Sequence, residues 1–162
     1  MIIRHTTIDD LDVVMEIYKY ARSFMAQNGN PNQWGTLNPR REQIEKDIEN
    51  GVSYVCEDEE GIQAVFAFLE GIDPTYSLIE NGEWINDEPY GTIHRIASAG
   101  KVKGTASFVF DWCFNKCGNV RADTHEDNKI MQHLLVKNRF KKCGVIYLAN
   151  GSPRIAFQKT IP

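Results

Sequence analysis

Apolar residues recur along this chain with two periods, near two and near 3.6 residues. "MIIRHT" alternates and reads as a first strand. Thr7 can cap a helix, with Asp9 and Asp10 placed where carboxylates meet the positive end of the helix dipole. Leu11, Val14, Met15, Tyr18, Ala21 and Met25 follow at helical spacing to about residue 27. Gly29, Pro31 and Gly35 break that pattern. A second helix is predicted with Asn38 as cap, Pro39 at its first position, Ile44 and Ile48 on one face and Gly51 past its end. "VSYVCE" and "IQAVFAFLEG" read as two strands joined by the acidic turn "DEEG".

A polar and aromatic span, residues 72–89, leads to the strand "YGTIHRIAS". Next comes a helix that is apolar nearly all round, from about Gly104 to Lys116, stopping at Gly118. "NVRADT" is another strand. "DNKIMQHLLVKNRF" is an amphipathic helix with Ile130, Met131, Leu134 and Leu135 inward. "CGVIYLA" and "RIAFQK" close the chain as a hairpin around Asn150-Gly151. Hairpin-linked strands at both ends imply antiparallel pairing, and the strand–helix–strand unit at 90–124 implies one parallel pair. The pattern predicts an α+β fold: a mixed, strongly twisted sheet of six to seven strands, helices on both faces, and a central parallel pair. No repeat or linker interrupts residues 1–162, which read as one domain.

Composition narrows the class of function. The 162 residues carry 22 acids against 18 bases, a formal charge of −4, which argues against a nucleic-acid partner. An acidic surface suits a cationic small molecule. Nothing approaches 18 consecutive apolar residues, so no membrane span is expected. Cys56, Cys113, Cys117 and Cys143 lack zinc-site spacing and no secretory signal is visible, which points to a cytoplasmic protein with reduced thiols and no metal. Cys113 and Cys117, one turn apart beside Trp112 and Phe114, read as small buried hydrophobes.

The stretch "SAGKVKGTAS" places two glycines and two lysines at the mouth of a buried helix. The phosphate loop of nucleotide hydrolases requires Lys after the second Gly, but Gly104 is followed by Thr105; the dinucleotide fingerprint is absent. A helix start presents unpaired N–H groups and the positive dipole end, and Gly104 and Ala106 allow close approach of an anion to the backbone. An ordinary strand-to-helix turn with solvated lysines is the plainer alternative.

Lys101-Val102-Lys103-Gly104-Thr105-Ala106 resembles the pyrophosphate loop of the GNAT N-acetyltransferase superfamily, a basic or amide residue followed by x-x-G-x-[G/A]. Asn128 after the fifth strand and Phe140 after the following helix match a second family signature, and the element order extends the resemblance over nearly the whole chain. It implies that Ile96, Ala97, Ser98, Lys101, Val102, Lys103, Gly104, Thr105, Ala106, Ser107, Asn128 and Met131 hold acetyl-CoA. The implied reaction is direct attack of a primary amine, in a small molecule or a peptide, on the thioester; a non-catalytic acyl-CoA sensor of the same fold is the alternative. A homodimer is compatible with the resemblance. Three positions depart from the pattern. Lys101 stands where Arg or Gln is usual. Arg139 replaces the Gly before Phe140, which predicts a different helix cap. Leu135 replaces the tyrosine thought to protonate the departing thiolate.

An amine attacks only when neutral, so a base must remove a proton, and the carbonyl oxygen, as it turns negative, needs a donor such as a backbone N–H of the fourth strand. A thiolate leaving group, with a pKa of about 8.5, departs without strong acid help. His94 is the first candidate for the base. Alternation puts Thr92, His94 and Ile96 on one face and Ile93, Arg95 and Ala97 on the other. In arylalkylamine acetyltransferases of this family a histidine at the same offset from the matching Ala serves this role. A histidine bonded within the sheet remains the other reading. His125 is a candidate acid or substrate ligand, or a helix cap; Tyr147 could replace the missing phenol, or be a core tyrosine. For the acceptor, the two variable spans offer Trp34, Glu70, Tyr76 and Trp84, aromatics and a carboxylate that would suit a cation, or hinges packed on the core.

Overall fold

The computed structural model describes all residues from 1 to 162. The elements run β1 (Ile2–His5), a 3-10 turn (Ile8–Asp10), α1 (Leu11–Gln27), α2 (Arg41–Glu49), β2 (Ser53–Asp58), β3 (Gly61–Glu70), a second 3-10 turn (Pro74–Tyr76), β4 (Gly91–Ser98), α3 (Thr105–Cys117), β5 (Asn119–Thr124), α4 (Lys129–Lys137), β6 (Lys141–Tyr147) and β7 (Pro153–Thr160). All seven strands form one sheet in the order β1-β2-β3-β4-β5-β7-β6. Every neighbouring pair is antiparallel except β4 with β5. The α+β class, the helices on both faces and the central parallel pair are as expected. No helix is long and apolar enough to cross a membrane.

β3 is buried on both faces, which its near-continuous apolar run requires. Ala64, Phe66 and Phe68 pack with Ile93, Val109 and Phe110 on the side of α3. Val65 packs with Leu11, Val14, Tyr18 and Ile44 under α1 and α2.

Three local expectations are corrected. α2 starts at Arg41, not at Pro39. Arg40 is extended and its carbonyl accepts the first helical N–H groups, from Gln43 and Ile44, so Arg40 is the cap. The Asn38 N–H is already bonded to Trp34 O, and its carbonyl accepts from Arg22.

The strict alternation expected along β4 fails at Arg95. Ala67 pairs with His94 and Val65 with Ala97, so Arg95 and Ile96 together oppose Phe66 in a β-bulge. Arg95 takes φ +50°. Two contacts hold it there: its guanidinium grips Asp47 of α2 at 2.8 and 2.9 Å, and its carbonyl accepts from the Tyr18 hydroxyl at 2.7 Å. Ile96 thereby joins Ile93 against the α3 cluster, while Ala97 packs under α1.

Nor does Arg139 change the cap of α4. It adopts φ +70°, donating its N–H to Val136 O, while Phe140 N–H reaches back to Leu135 O. This is the Schellman arrangement that glycine usually completes, here carried by an arginine.

Candidate active site

β4 and β5 pair only at Gly91–Val120, Thr92–Arg121 and Ile93–Ala122. Beyond Ile93 the two strands part, and the β5-facing edge of β4 from His94 to Ser98 has no strand partner. Two adjoining cavities fill the gap and share Met25, Ile96, Asn128 and Met131 in their walls. The narrower is mainly apolar and reaches Ala97, Ser98, Gly100 and Ala106 at the mouth of α3. The wider one holds His94, Asp123, Trp34 and Arg154.

The mouth of α3 has the backbone an anion site needs. Gly104 caps the helix at φ +81°, and the first helical bond is Phe108 N–H to Gly104 O. No backbone N–H from Lys101 to Ser107 has an acceptor in the protein. The Thr105 hydroxyl closes the turn onto Val102 O at 2.9 Å, and Ser107 Oγ accepts from Asn138. Lys103 and Gly104 are exposed, while Lys101 and Val102 border a groove against the acidic turn Glu57–Glu60. Gly100, at φ +75°, has no room for a side chain, since a Cβ would stand 2.4 Å from the Tyr20 hydroxyl.

Where the two cavities meet, an amide cluster ties the lips together. Gln33 Oε1 accepts from Asn30 Nδ2 at 2.8 Å and from Asn128 Nδ2 at 3.0 Å. Asn128 Oδ1 caps α4 by accepting from Met131 N–H. Asn30 Oδ1, which this leaves over, is buried without a partner. An unpaired buried carbonyl beside an open cavity is a ready acceptor for a ligand N–H.

His94 is held by a carboxylate. Its Nε2 lies 2.7 Å from Asp73 Oδ2. Burial alone would raise the Asp73 carboxyl, but the hydrogen bonds from His94 and from the Thr75 hydroxyl and N–H outweigh it and hold its pKa at about 2. An ionised carboxylate only accepts, so His94 Nε2 carries the proton and Nδ1 is left as the free base of the neutral ring. A second pair lies beside the first. The Tyr76 hydroxyl donates to Asp123 Oδ1 at 2.6 Å, and the Tyr76 ring centroid is 6.2 Å from that of His94. Burial pushes the Asp123 carboxyl up, against the pull of His94, Tyr76 and Arg154.

Of the residues expected from the sequence, the structure gathers His94, Trp34, Ile96, Ala97, Ser98, Ala106, Asn128 and Met131 around the two cavities. Lys101–Thr105 and Ser107 line neither cavity and lie at the mouth of α3, while His125, Tyr147, Glu70 and Trp84 stand apart from the cleft. His125 turns its Nδ1 to the Asp127 N–H at 3.0 Å and serves the turn before α4. Tyr147 lies on the edge strand β6, because β7 intervenes next to β5, and its hydroxyl meets Glu80 at 3.1 Å on the surface. Glu70 is exposed at the end of β3. Trp84 donates to Tyr76 O and stacks on Arg121, packing the 72–90 span onto the sheet. Tyr76 is 2% exposed, so it supports the site through Asp123 and is not a free wall of it. Leu135 is fully buried and offers no proton. Sequence reasoning missed Asp73 as the partner of His94; the one local sign was Asp73-Pro74-Thr75, a cap-and-proline pair that turns the chain toward β4.

No protein-family model and no curated protein matches the sequence. Solved structures do. An acetyltransferase of the GNAT family from Streptococcus agalactiae is 30% identical over 99% of this chain and 95% of its own, with a TM-score of 0.90. A GNAT-family acetyltransferase from Listeria monocytogenes is 18% identical over 99% and 94%, at 0.72. The NatC complex, solved with a Gag peptide and CoA, matches over 99% and 98% at 9% identity and 0.63. The latter two share the fold.

Proposed function

Because this chain belongs to the GNAT family of acetyltransferases, we propose that it moves the acetyl group of acetyl-CoA directly to a primary amine, with His94 as the base. The observation that carries the reading is the cleft between β4 and β5, running from the unpaired N–H groups of Lys101–Ser107 to the His94–Asp73 pair. NatC, similar in fold, is solved with CoA.

The residues fit acetyl-CoA as a substrate. The free N–H groups at the mouth of α3 suit a pyrophosphate, with Lys101 and Lys103 adding charge. The apolar cavity suits the pantetheine arm, and Asn30 Oδ1 suits one of its amide N–H groups. The unpaired edge of β4 offers backbone N–H to the acetyl oxygen as it gains charge.

His94 Nδ1 takes the proton of the attacking amine, directly or through a water, and Asp73 stabilises the imidazolium that forms. The thiolate leaves without a dedicated acid, consistent with Leu135 at the position where a phenol is expected. That leucine is also the observation favouring the second reading, a domain that binds acyl-CoA without turnover.

Mixing the protein with acetyl-CoA and a panel of amines, and following free thiol, separates the two readings. Amine-dependent thiol release supports the enzyme. Tight CoA binding with no release from any amine supports the sensor.

A further inference from the structure

We propose that the amine acceptor carries an acid group close to its amine, as an amino acid does, and that Arg154 and Arg40 hold that acid group. The inference rests on the acetyltransferase reading and names its substrate class.

The wall of the acceptor cavity is richer in cations than the sequence suggested. Besides His94 it contains Arg40, Arg95 and Arg154, against one carboxylate, Asp123. Arg95 is already spent on Asp47. No carboxylate comes within ion-pair distance of Arg40 or Arg154.

Arg154 is the telling residue. It is 7% exposed, yet its guanidinium meets only neutral acceptors: Ser152 Oγ and Pro153 O at 2.8 Å through Nη1, and Gln33 O at 3.4 Å through Nη2. Five N–H donors are available, so donors remain. Asp123 is its nearest countercharge but lies beyond ion-pair contact, and a buried guanidinium with no anion in contact is costly unless one from outside completes it. Those three bonds also fix its plane, which prepares the group for a carboxylate or phosphonate. Arg40 is exposed at the rim, as the cap of α2, and adds charge where such an acceptor would enter.

Asp123 and His94 supply the complementary end. A zwitterion would set its amine toward them and its acid group toward Arg154. Of the aromatics and carboxylate expected to hold a simple cation only Trp34 lines this wall, since Glu70 and Trp84 lie elsewhere and Tyr76 is buried. The cavity, about 390 Å³, falls in the size class of small-molecule sites, about 300–1,000 Å³.

The test is a set of matched acceptors titrated by calorimetry into the protein saturated with CoA: several amino acids, each with its decarboxylated amine, its carboxamide and its aminophosphonate. The acid-bearing member of each set should bind about 10- to 100-fold more tightly than the amine or the carboxamide. The aminophosphonate arm tells whether a carboxylate or a phosphonate is preferred, and either supports the proposal. Arg40→Ala, at an exposed position, should cut the preference several-fold. Arg154→Gln should bring the ratio to about one, with the thermal transition confirming that it folds. Equal binding of amine, carboxamide and acid, or a preference unchanged in both variants, would overturn the proposal; equal binding of the carboxamide would point instead to a peptide amine. Absence of thiol release with any of these compounds would count against the acetyltransferase reading alone, because the binding preference is read without turnover.

Discussion

At the scale of single residues, the chemistry turns on His94 and the carboxylate behind it. The family resemblance pointed to His94 by its offset from Ala97, but nothing near it in sequence marked Asp73, 21 positions away, as its partner. A side chain that reaches its partner through a folded loop leaves no periodic trace. His94→Gln keeps volume and hydrogen bonding but removes the base, so kcat should fall about 10²- to 10⁴-fold with CoA affinity nearly unchanged. Asp73→Asn tests positioning. It can still accept from His94, but no longer stabilises the imidazolium or fixes the Nε2–H tautomer, so kcat should fall while the rise of kcat/KM with pH shifts. A variant with normal kcat and an unaltered pH profile would make Asp73 a loop-capping residue only.

At the scale of elements, most of the fold was legible because periods of two and 3.6 are hard to confuse over eight or more residues. α1, β3, α3 and the closing hairpin all lie where the pattern put them. What escaped was backbone conformation at single positions. Nothing in the alternation of "TIHRIAS" announces a bulge at Arg95, since Asp47 and Tyr18, which hold it, come from distant elements. Arg139 is a similar case: its substitution for glycine suggested a new cap, yet Leu135 and Phe140, both buried in the core, force the same left-handed turn. Left-handed backbone costs a non-glycine residue about 1 kcal/mol. Arg139→Gly should therefore raise unfolding free energy by up to about 1 kcal/mol, read by urea denaturation; a loss of stability would mean that the arginine side chain contributes more than its backbone costs.

At the scale of the whole molecule, charge and cleft together set what can be tested. The Arg4 guanidinium, hydrogen-bonded to Asp10 and Glu57, joins β1, β2 and the first turn, and holds the Asp10 carboxyl at about 2 instead of the ordinary 3.8. A carboxyl lowered on folding stabilises above its unfolded value and loses that contribution as pH falls through its folded one. Asp10 and Asp73 should thus make the thermal midpoint fall between about pH 4 and about pH 2, and Asp10→Asn should flatten that slope. An identical slope in the variant would remove Asp10 from the explanation. The central claim, that the gap between β4 and β5 seats acetyl-CoA with its thioester at His94, is tested most directly by a crystal structure of the protein with acetyl-CoA. The pyrophosphate should lie on the N–H groups of Lys101–Ser107, the arm between His94–Ser98 and Asn128, and the acetyl group beside His94. CoA bound over any other surface, or in the cleft with its sulfur turned away from His94, would contradict it.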